Sequence, residues 1–188
     1  MPKFQLVILA SGSGSLAQSI IDACESGLLA AEIATIISDQ EAPILERAKT
    51  HHIDHHLLPM NKDRSLWNGD LFNLVSDHQP DLVVSAGFMR ILAPEFVRHF
   101  KVINTHPALL PLFPGAHAVR DALAAGVVET GSSVHWVDEG VDTGEVIAQV
   151  KVAIQPGDDE SALHERIKIV ERKLIVETLQ TLIAAGEK

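Results

Sequence analysis

An α/β architecture is the fold class this sequence predicts: a mostly parallel sheet with helices on both faces, closed by a C-terminal strand pair and a long C-terminal helix. Three observations carry that expectation. Short, nearly continuous apolar runs recur at residues 4–10, 33–37, 81–86 and 101–105, the pattern of strands covered on both faces. Segments with helical apolar spacing separate them, as right-handed crossovers between parallel strands require. Glycine and proline punctuate the joins, and no internal repeat, low-complexity tract or linker interrupts the alternation, so residues 1–188 are expected to form one domain.

Taken in order, residues 4–10 form the first strand and lead into Ser11-Gly12-Ser13-Gly14-Ser15. A helix carrying Leu16, Ile20, Ile21, Ala23 and Cys24 follows and stops at Gly27. A glycine loop between strand and helix can aim several backbone N–H groups at one anion, or serve only as a tight turn needing positive φ. Residues 33–37 read as the second strand, 42–49 as a helix, and 56–58 as a short third strand. Residues 64–76 form a helix with Leu66, Trp67, Leu71 and Leu74, and 81–86 the fourth strand, running into Gly87-Phe88-Met89-Arg90-Ile91-Leu92. That loop either lines a pocket for a flat, partly anionic ligand or packs beneath itself. Residues 94–99 make a short helix, 101–105 the fifth strand and 116–125 a helix stopped by Gly126. The strand pair 133–137 and 146–150 follows, then a helix capped by Ser161 and reaching about Ile183, with Leu163, Ile167, Val170, Leu174 and Leu179 on its buried stripe.

Composition narrows the partners. With 188 residues and 46% apolar content, at a mean hydropathy of +0.16, the chain can bury a substantial core. Fifteen Lys and Arg against 25 Asp and Glu leave a net charge of −10, which argues against nucleic acid or an anionic membrane as partner while leaving room for a small anionic substrate. The single cysteine, Cys24, cannot form an intramolecular disulfide and sits in an apolar helix face as a small hydrophobe. With no leader-like segment and no apolar run of about 20 residues, a soluble, cytoplasmic protein is expected, a monomer or homodimer. The stretch His51-His52-Ile53-Asp54-His55-His56 invites a metal reading, but it falls in a helix-to-strand connection without evident ligand geometry, and no metal is expected.

The chemistry concentrates in Asn104-Thr105-His106-Pro107-Ala108-Leu109-Leu110-Pro111, where a buried run ends on an amide, a hydroxyl and an imidazole. Pro107 ends ladder pairing and biases His106 away from the helical region. Asn104 and His106, two apart on a strand, share a face, so a hydrogen-bond donor and a titratable ring address one spot. Alternatively they satisfy only a local turn. The loops after the first, fourth and fifth strands should open on one sheet edge, where ligands bind in such folds. In the connection Asp138-Glu139-Gly140-Val141-Asp142-Thr143-Gly144, carboxylates between glycines read as solvated turn residues or a metal site. His135 reads as a packed or pocket-edge residue, Trp136 as core, and His117 as a helix-start residue near the motif.

Gly12-Ser13-Gly14-Ser15-Leu16-Ala17 also matches G-x-G-x-x-A, with Asp39 about 20 residues further on, the pattern of a Rossmann-like dinucleotide site and hence of a nicotinamide-dependent oxidoreductase. That reading assigns no work to Asn104, His106 or Asp142. A non-catalytic ligand-binding module would tolerate the glycine loop without needing them.

Taken together, the glycine loop, Ala86-Gly87-Phe88-Met89-Arg90-Ile91-Leu92, the Asn104 octet, Phe113-Pro114-Gly115 and Val141-Asp142-Thr143-Gly144 resemble the folate-dependent glycinamide ribonucleotide formyltransferases of purine synthesis, over nearly the whole chain. Methionyl-tRNA formyltransferases and formyltetrahydrofolate deformylases share the fold and the Asn-x-His pair but carry additional domains, for which 188 residues leave no room. The resemblance implies a Rossmann-like formyltransferase domain using 10-formyltetrahydrofolate as co-substrate and no metal, with formyltetrahydrofolate hydrolysis as the neighbouring activity. It implies Asn104, His106 and Asp142 as catalytic residues. Gly14, Ser15 and Leu16 would embrace the ribonucleotide phosphate, Leu16 standing where Asn is frequent. Lys168, Ile169, Val170 and Glu171 would meet the ribonucleotide, with Glu171 on its amine. Arg64, Met89, Arg90, Ile91, Leu92, Asn104, Asp138, Glu139, Gly140, Val141 and Asp142 would hold the folate.

Overall fold

The computed structural model describes residues 3–186. One seven-stranded sheet runs through it in the order β3-β2-β1-β4-β5-β6-β7. The strands are β1 (Phe4–Ala10), β2 (Ala31–Ser38), β3 (His55–Leu57), β4 (Leu82–Ser85), β5 (Val102–His106), β6 (Glu129–Trp136) and β7 (Val146–Ala153). Strands β1 to β5 pair in parallel, whereas β6 runs antiparallel to both β5 and β7. The helices are α1 (Ser15–Glu25), α2 (Pro43–Thr50), α3 (Arg64–Asp77), α4 (Pro94–His99), α5 (Ala118–Ala124) and α6 (Glu160–Ala185). The predicted class holds, down to the terminal strand pair and long last helix.

Both faces of the parallel strands are apolar because alternate residues serve different layers. Leu6 and Ile8 of β1, with Ile36, Val84 and Ile103, pack under Ile20 and Ile21 of α1, Ile44 of α2 and Ile175 and Leu179 of α6. Val7 and Leu9, with Ile37, Val83 and Val102, face Trp67, Leu71 and Val75 of α3 and Phe96 beside them. Leu66, expected to join this stripe, is 58% exposed, since its neighbour Trp67 takes the inward position and donates its indole N–H to the Leu58 carbonyl at 3.0 Å.

Several boundaries differ from expectation, and those of α6 and β6 have a plain cause. α6 is capped by Asp159, whose Oδ1 accepts the Ala162 N–H at 2.8 Å, so Ser161 lies inside the first turn. Strand β6 begins at Glu129 rather than Ser133, because its first half pairs with β7 from Glu129↔Ala153 onward. No helix of the described residues is long and apolar enough to cross a membrane. Cys24 is half-buried, and burial pushes its thiol up to about 11, consistent with an inert packing role.

Strand order reverses between β1 and β4, the place where such sheets open a crevice beyond the carboxyl ends of their strands. The two loops there are tied together: Ser11 N–H donates to the Gly87 carbonyl at 3.1 Å, and Met89 N–H to Ser11 Oγ at 2.9 Å.

Candidate active site

A cleft of about 710 Å³ opens at this edge, bounded by the glycine loop, residues 85–92, the end of β5, the β6–β7 connection and one face of α6. Each wall follows from local chain behaviour. At the first, Gly14 takes φ 71 ahead of α1 and supplies no side-chain cap, leaving the first-turn N–H groups unclaimed by a side chain. A Cβ there would approach Ile44 Cδ1 to 2.4 Å, so only glycine fits. Arg47 Nε holds the loop from behind by donating to the Ser13 carbonyl at 2.8 Å.

The second wall is a polar corner where β5 and β6 end. Register places Asn104 of β5 directly opposite His135 of β6, and Asn104 Nδ2 lies 3.3 Å from His135 Nε2. His135 Nδ1 is 2.8 Å from the Trp136 carbonyl, which can only accept, so Nδ1 carries a proton. His106 is 4% exposed; its Nε2 lies 2.7 Å from the Phe113 carbonyl and its Nδ1 3.3 Å from Asp142 Oδ2. A ring with protons on both nitrogens satisfies both contacts. Asp142 Oδ1 sits 3.5 Å from His135 Nε2, and its Oδ2 accepts the Gly115 N–H at 2.8 Å. The hydrogen bond with His135, then the Gly115 N–H and the charge of His106, hold the Asp142 carboxyl below the usual carboxylate range against the opposing effect of burial. Asp142 reaches this place at φ 54, a conformation uncommon for a residue with a Cβ, inside a loop whose Asp138 carboxylate accepts from Gly140 N–H and Thr143 Oγ1.

The third wall is α6. His164, Lys168 and Glu171, spaced four and three apart, share one helix face and line the cleft. Burial pushes the Glu171 carboxyl up despite hydrogen bonds from Thr105 and Ser132. Burial likewise lowers His164, helped by nearby Lys168.

Most residues expected at the site therefore converge here: Gly14, Ser15, Leu16, Met89, Arg90, Ile91, Leu92, Asn104, His106, Asp138, Gly140, Val141, Asp142, Lys168 and Glu171 all line the cleft. Four do not. Ile169 is 64% exposed and Val170 packs with Leu163 and Ile167, because a helix cannot turn four consecutive residues to one spot. Glu139 is paired with Arg98 at 2.6 Å. Arg64 lies just outside, its guanidinium 4.6 Å from the Trp67 ring centroid and donating to the Ile91 carbonyl that shapes the cleft rim. Sequence reasoning passed over His164 entirely and left His135 undecided; the spacing of His164 from Lys168 and Glu171 was the available signal for the first. His117, held open as a contact, is exposed and stands outside the lining.

The dinucleotide reading loses its acid. Asp39 is 3% exposed and its Oδ2 pairs with Arg90 Nε at 2.5 Å, so the carboxylate that would take a ribose hydroxyl is already bound within the protein.

Comparison with known sequences agrees with this geometry. A model of the family described as "Formyl transferase" matches residues 4–179, and the chain belongs to that family. Among its relatives, a phosphoribosylglycinamide formyltransferase of Mycobacterium tuberculosis is 46% identical over 186 residues, covering 97% of this chain and 86% of that one. A solved glycinamide ribonucleotide transformylase 1 from Symbiobacterium toebii superposes with a TM-score of 0.94 at 35% identity, covering 98% and 89% of the two chains. A formyltetrahydrofolate deformylase from Pseudomonas syringae shares the fold with a TM-score of 0.90 at 29% identity, over 95% of this chain but 61% of its own.

Proposed function

We propose that this chain is a phosphoribosylglycinamide formyltransferase, moving the formyl group of 10-formyltetrahydrofolate to the amine of glycinamide ribonucleotide. The observation that carries this is the joining, in one cleft, of an acid/base corner with an anion-binding helix start and a buried carboxylate. Neither a dinucleotide oxidoreductase nor a simple binding module requires that combination. The relatives at 46% and 35% identity support the same substrates.

The folate fits the space. A cleft of about 710 Å³ lies within the range of small-ligand pockets, roughly 300–1,000 Å³, and residues 88–92 with Val141 supply apolar walls. Burial, and then the neighbouring Arg90 charge, push the Arg64 guanidinium down, and two cations this close at the cleft rim suit a dicarboxylate. The folate supplies an electrophilic formyl carbon.

The ribonucleotide phosphate sits against the N–H groups of Ser15 and Leu16, and Glu171 accepts a hydrogen bond from the amine. The amine nitrogen bonds to the formyl carbon while negative charge gathers on the formyl oxygen. Asn104 Nδ2 donates to that oxygen, and the imidazolium of His106 stabilises it. The amine then loses a proton, the bond from formyl carbon to folate nitrogen breaks, and that nitrogen gains a proton. Asp142, anionic beside both imidazoles, supplies the countercharge for an imidazolium at His106 and relays the proton. His106 is enclosed by Phe113 and Asp142 here, so its direct transfer of a proton requires the Phe113 carbonyl to give way.

Mixing the protein with a 10-formyl folate and following folate absorbance tests the reading. Deformylated folate should accumulate only when glycinamide ribonucleotide is present, with formyl label recovered on the ribonucleotide. Release in water alone would make the chain a deformylase.

A further inference from the structure

Away from the cleft, the outer edge of the sheet carries a side-chain cluster that formyl transfer does not use. Asp54 directly precedes β3, its backbone carbonyl accepting from Ile36 N–H at 2.9 Å and Thr35 Oγ1 at 3.1 Å. His56 belongs to β3 and pairs with Ile37 of β2. His78 is the C-cap of α3, its backbone N–H directed to the carbonyls of Ser76 and Val75. Three separate backbone anchors thus fix the positions from which the side chains converge.

They converge closely. Asp54 Oδ2 lies 2.9 Å from His56 Nε2 and 3.6 Å from His78 Nε2, and one ligand atom from each residue falls within 4.8 Å of the others. Donor atoms held tetrahedrally around zinc at about 2.0–2.1 Å are about 3.3 Å apart, between those two separations. The imidazole rings are tilted by 56° with centroids 5.8 Å apart, so both present Nε2 toward the carboxylate instead of stacking. Of the other histidines in the 51–56 stretch, His51 is directed toward Glu25 and Gln18, and His55 toward the Ile53 carbonyl. What the sequence lacked was the third ligand, which α3 brings in from residue 78.

We propose that Asp54, His56 and His78 form a binding site for one divalent transition cation of borderline softness, with zinc as the type. Two imidazoles and one carboxylate are the donor set of such ions, whereas calcium and magnesium need oxygen cages. The side chains are 55%, 38% and 21% exposed, so an ion enters from solvent and water completes its coordination. The ion clips β3, a three-residue edge strand whose one sheet neighbour is β2, to the end of α3. None of the three residues lines the cleft, so the site serves stability at the sheet edge and is independent of the formyl-transfer reading.

The test uses the full chain stripped with a chelator and then titrated with zinc chloride by calorimetry, with cobalt(II) as the spectroscopic probe. Expected are one equivalent bound, a cobalt spectrum of low-coordinate nitrogen and oxygen ligation, and a Tm raised by roughly 5 °C at a 100-fold excess over Kd. His78→Gln and Asp54→Asn should each weaken binding by at least about tenfold, since loss of even an outer-shell partner of a metal ligand costs that much, while His55→Gln leaves it unchanged. Catalytic rate should be equal with and without zinc. Absence of saturable binding at millimolar zinc, or undiminished binding in His78→Gln, overturns the proposal. Loss of turnover on chelation also overturns it, by placing the functional ion elsewhere.

Discussion

Two carboxylates stand on different walls of the same cleft, and their surroundings treat them oppositely. Asp142 on the β6–β7 connection is met by His135, the Gly115 N–H and His106, and its carboxyl is held below the usual range. Glu171 on α6 is desolvated, and the hydroxyls of Thr105 and Ser132 with the charges of Lys168 and Arg172 only partly offset burial, so its carboxyl is pushed up. The contrast separates two kinds of functional acid. Asp142 has its partners before any ligand arrives, the setting of a fixed countercharge in the proposed reaction. Glu171 is desolvated, and that deficit suits it to the proposed role of receiving a cation or N–H donor.

The sharpest way to break this contrast lies in the reacting corner. His106→Ala should lower kcat by about 10²–10³ through loss of charge stabilisation. His106→Ala combined with Asp142→Asn should be scarcely slower than His106→Ala alone, because the residues work as a pair. Additive losses measured in a double-mutant cycle would separate them.

On the opposite wall, Glu171→Gln should raise KM for glycinamide ribonucleotide by about tenfold or more, as for a lost charged hydrogen bond of 1.5–3 kcal/mol, with a smaller change in kcat. The same substitution should raise the melting temperature. Because the folded pKa of Glu171 lies above its ordinary 4.5, its favourable contribution is complete below pH 4.5 and is lost as pH rises through the folded value. The advantage of Glu171→Gln should therefore grow from acidic to neutral pH. Asp142 has the reverse sign. With its folded pKa below the ordinary 3.8, its contribution is present above that value and is lost as pH falls through the depressed one. Melting curves of Asp142→Asn and Glu171→Gln across pH 3–7, roughly the span over which these carboxyls titrate, should deviate from wild type in opposite directions.

His135 offers the smallest of these effects. It touches Asn104 and Asp142 and positions both, so His135→Gln should slow turnover by about tenfold, roughly 1.4 kcal/mol, with the acidic limb of the pH profile displaced upward as Asp142 loses its largest stabilising contact. An unchanged profile would reduce His135 to a packing residue.

The fold was legible wherever burial dictates composition: β1, β4 and the Val102–Ile103 start of β5 are apolar on both faces, and each strand is followed by a loop that physics directs to one edge. Within the site, Asn104 and His106 were legible because a polar pair interrupts a buried strand. Asp142 was legible only through the family resemblance, since its left-handed backbone and the antiparallel return of β6 bring it to His106 while its residue type fits a solvated turn equally well. The Asn104–His135 contact depends on cross-strand register, which local pattern does not encode. Ile169 and Val170 show the reverse failure, a contiguous stretch taken whole where helical period admits only Lys168 and Glu171. Asp39 looked available to a ligand in isolation and instead accepts from Arg90 Nε within the protein.

The most direct test of the account is the single-turnover rate of Asp142→Asn with both substrates saturating. Substrate binding is then removed from the comparison and only the stabilisation of the reacting groups remains. The account predicts formyl transfer slowed by at least about 10², with KM values near wild type. A single-turnover rate within threefold of wild type would contradict it and leave Asp142 as a loop anchor.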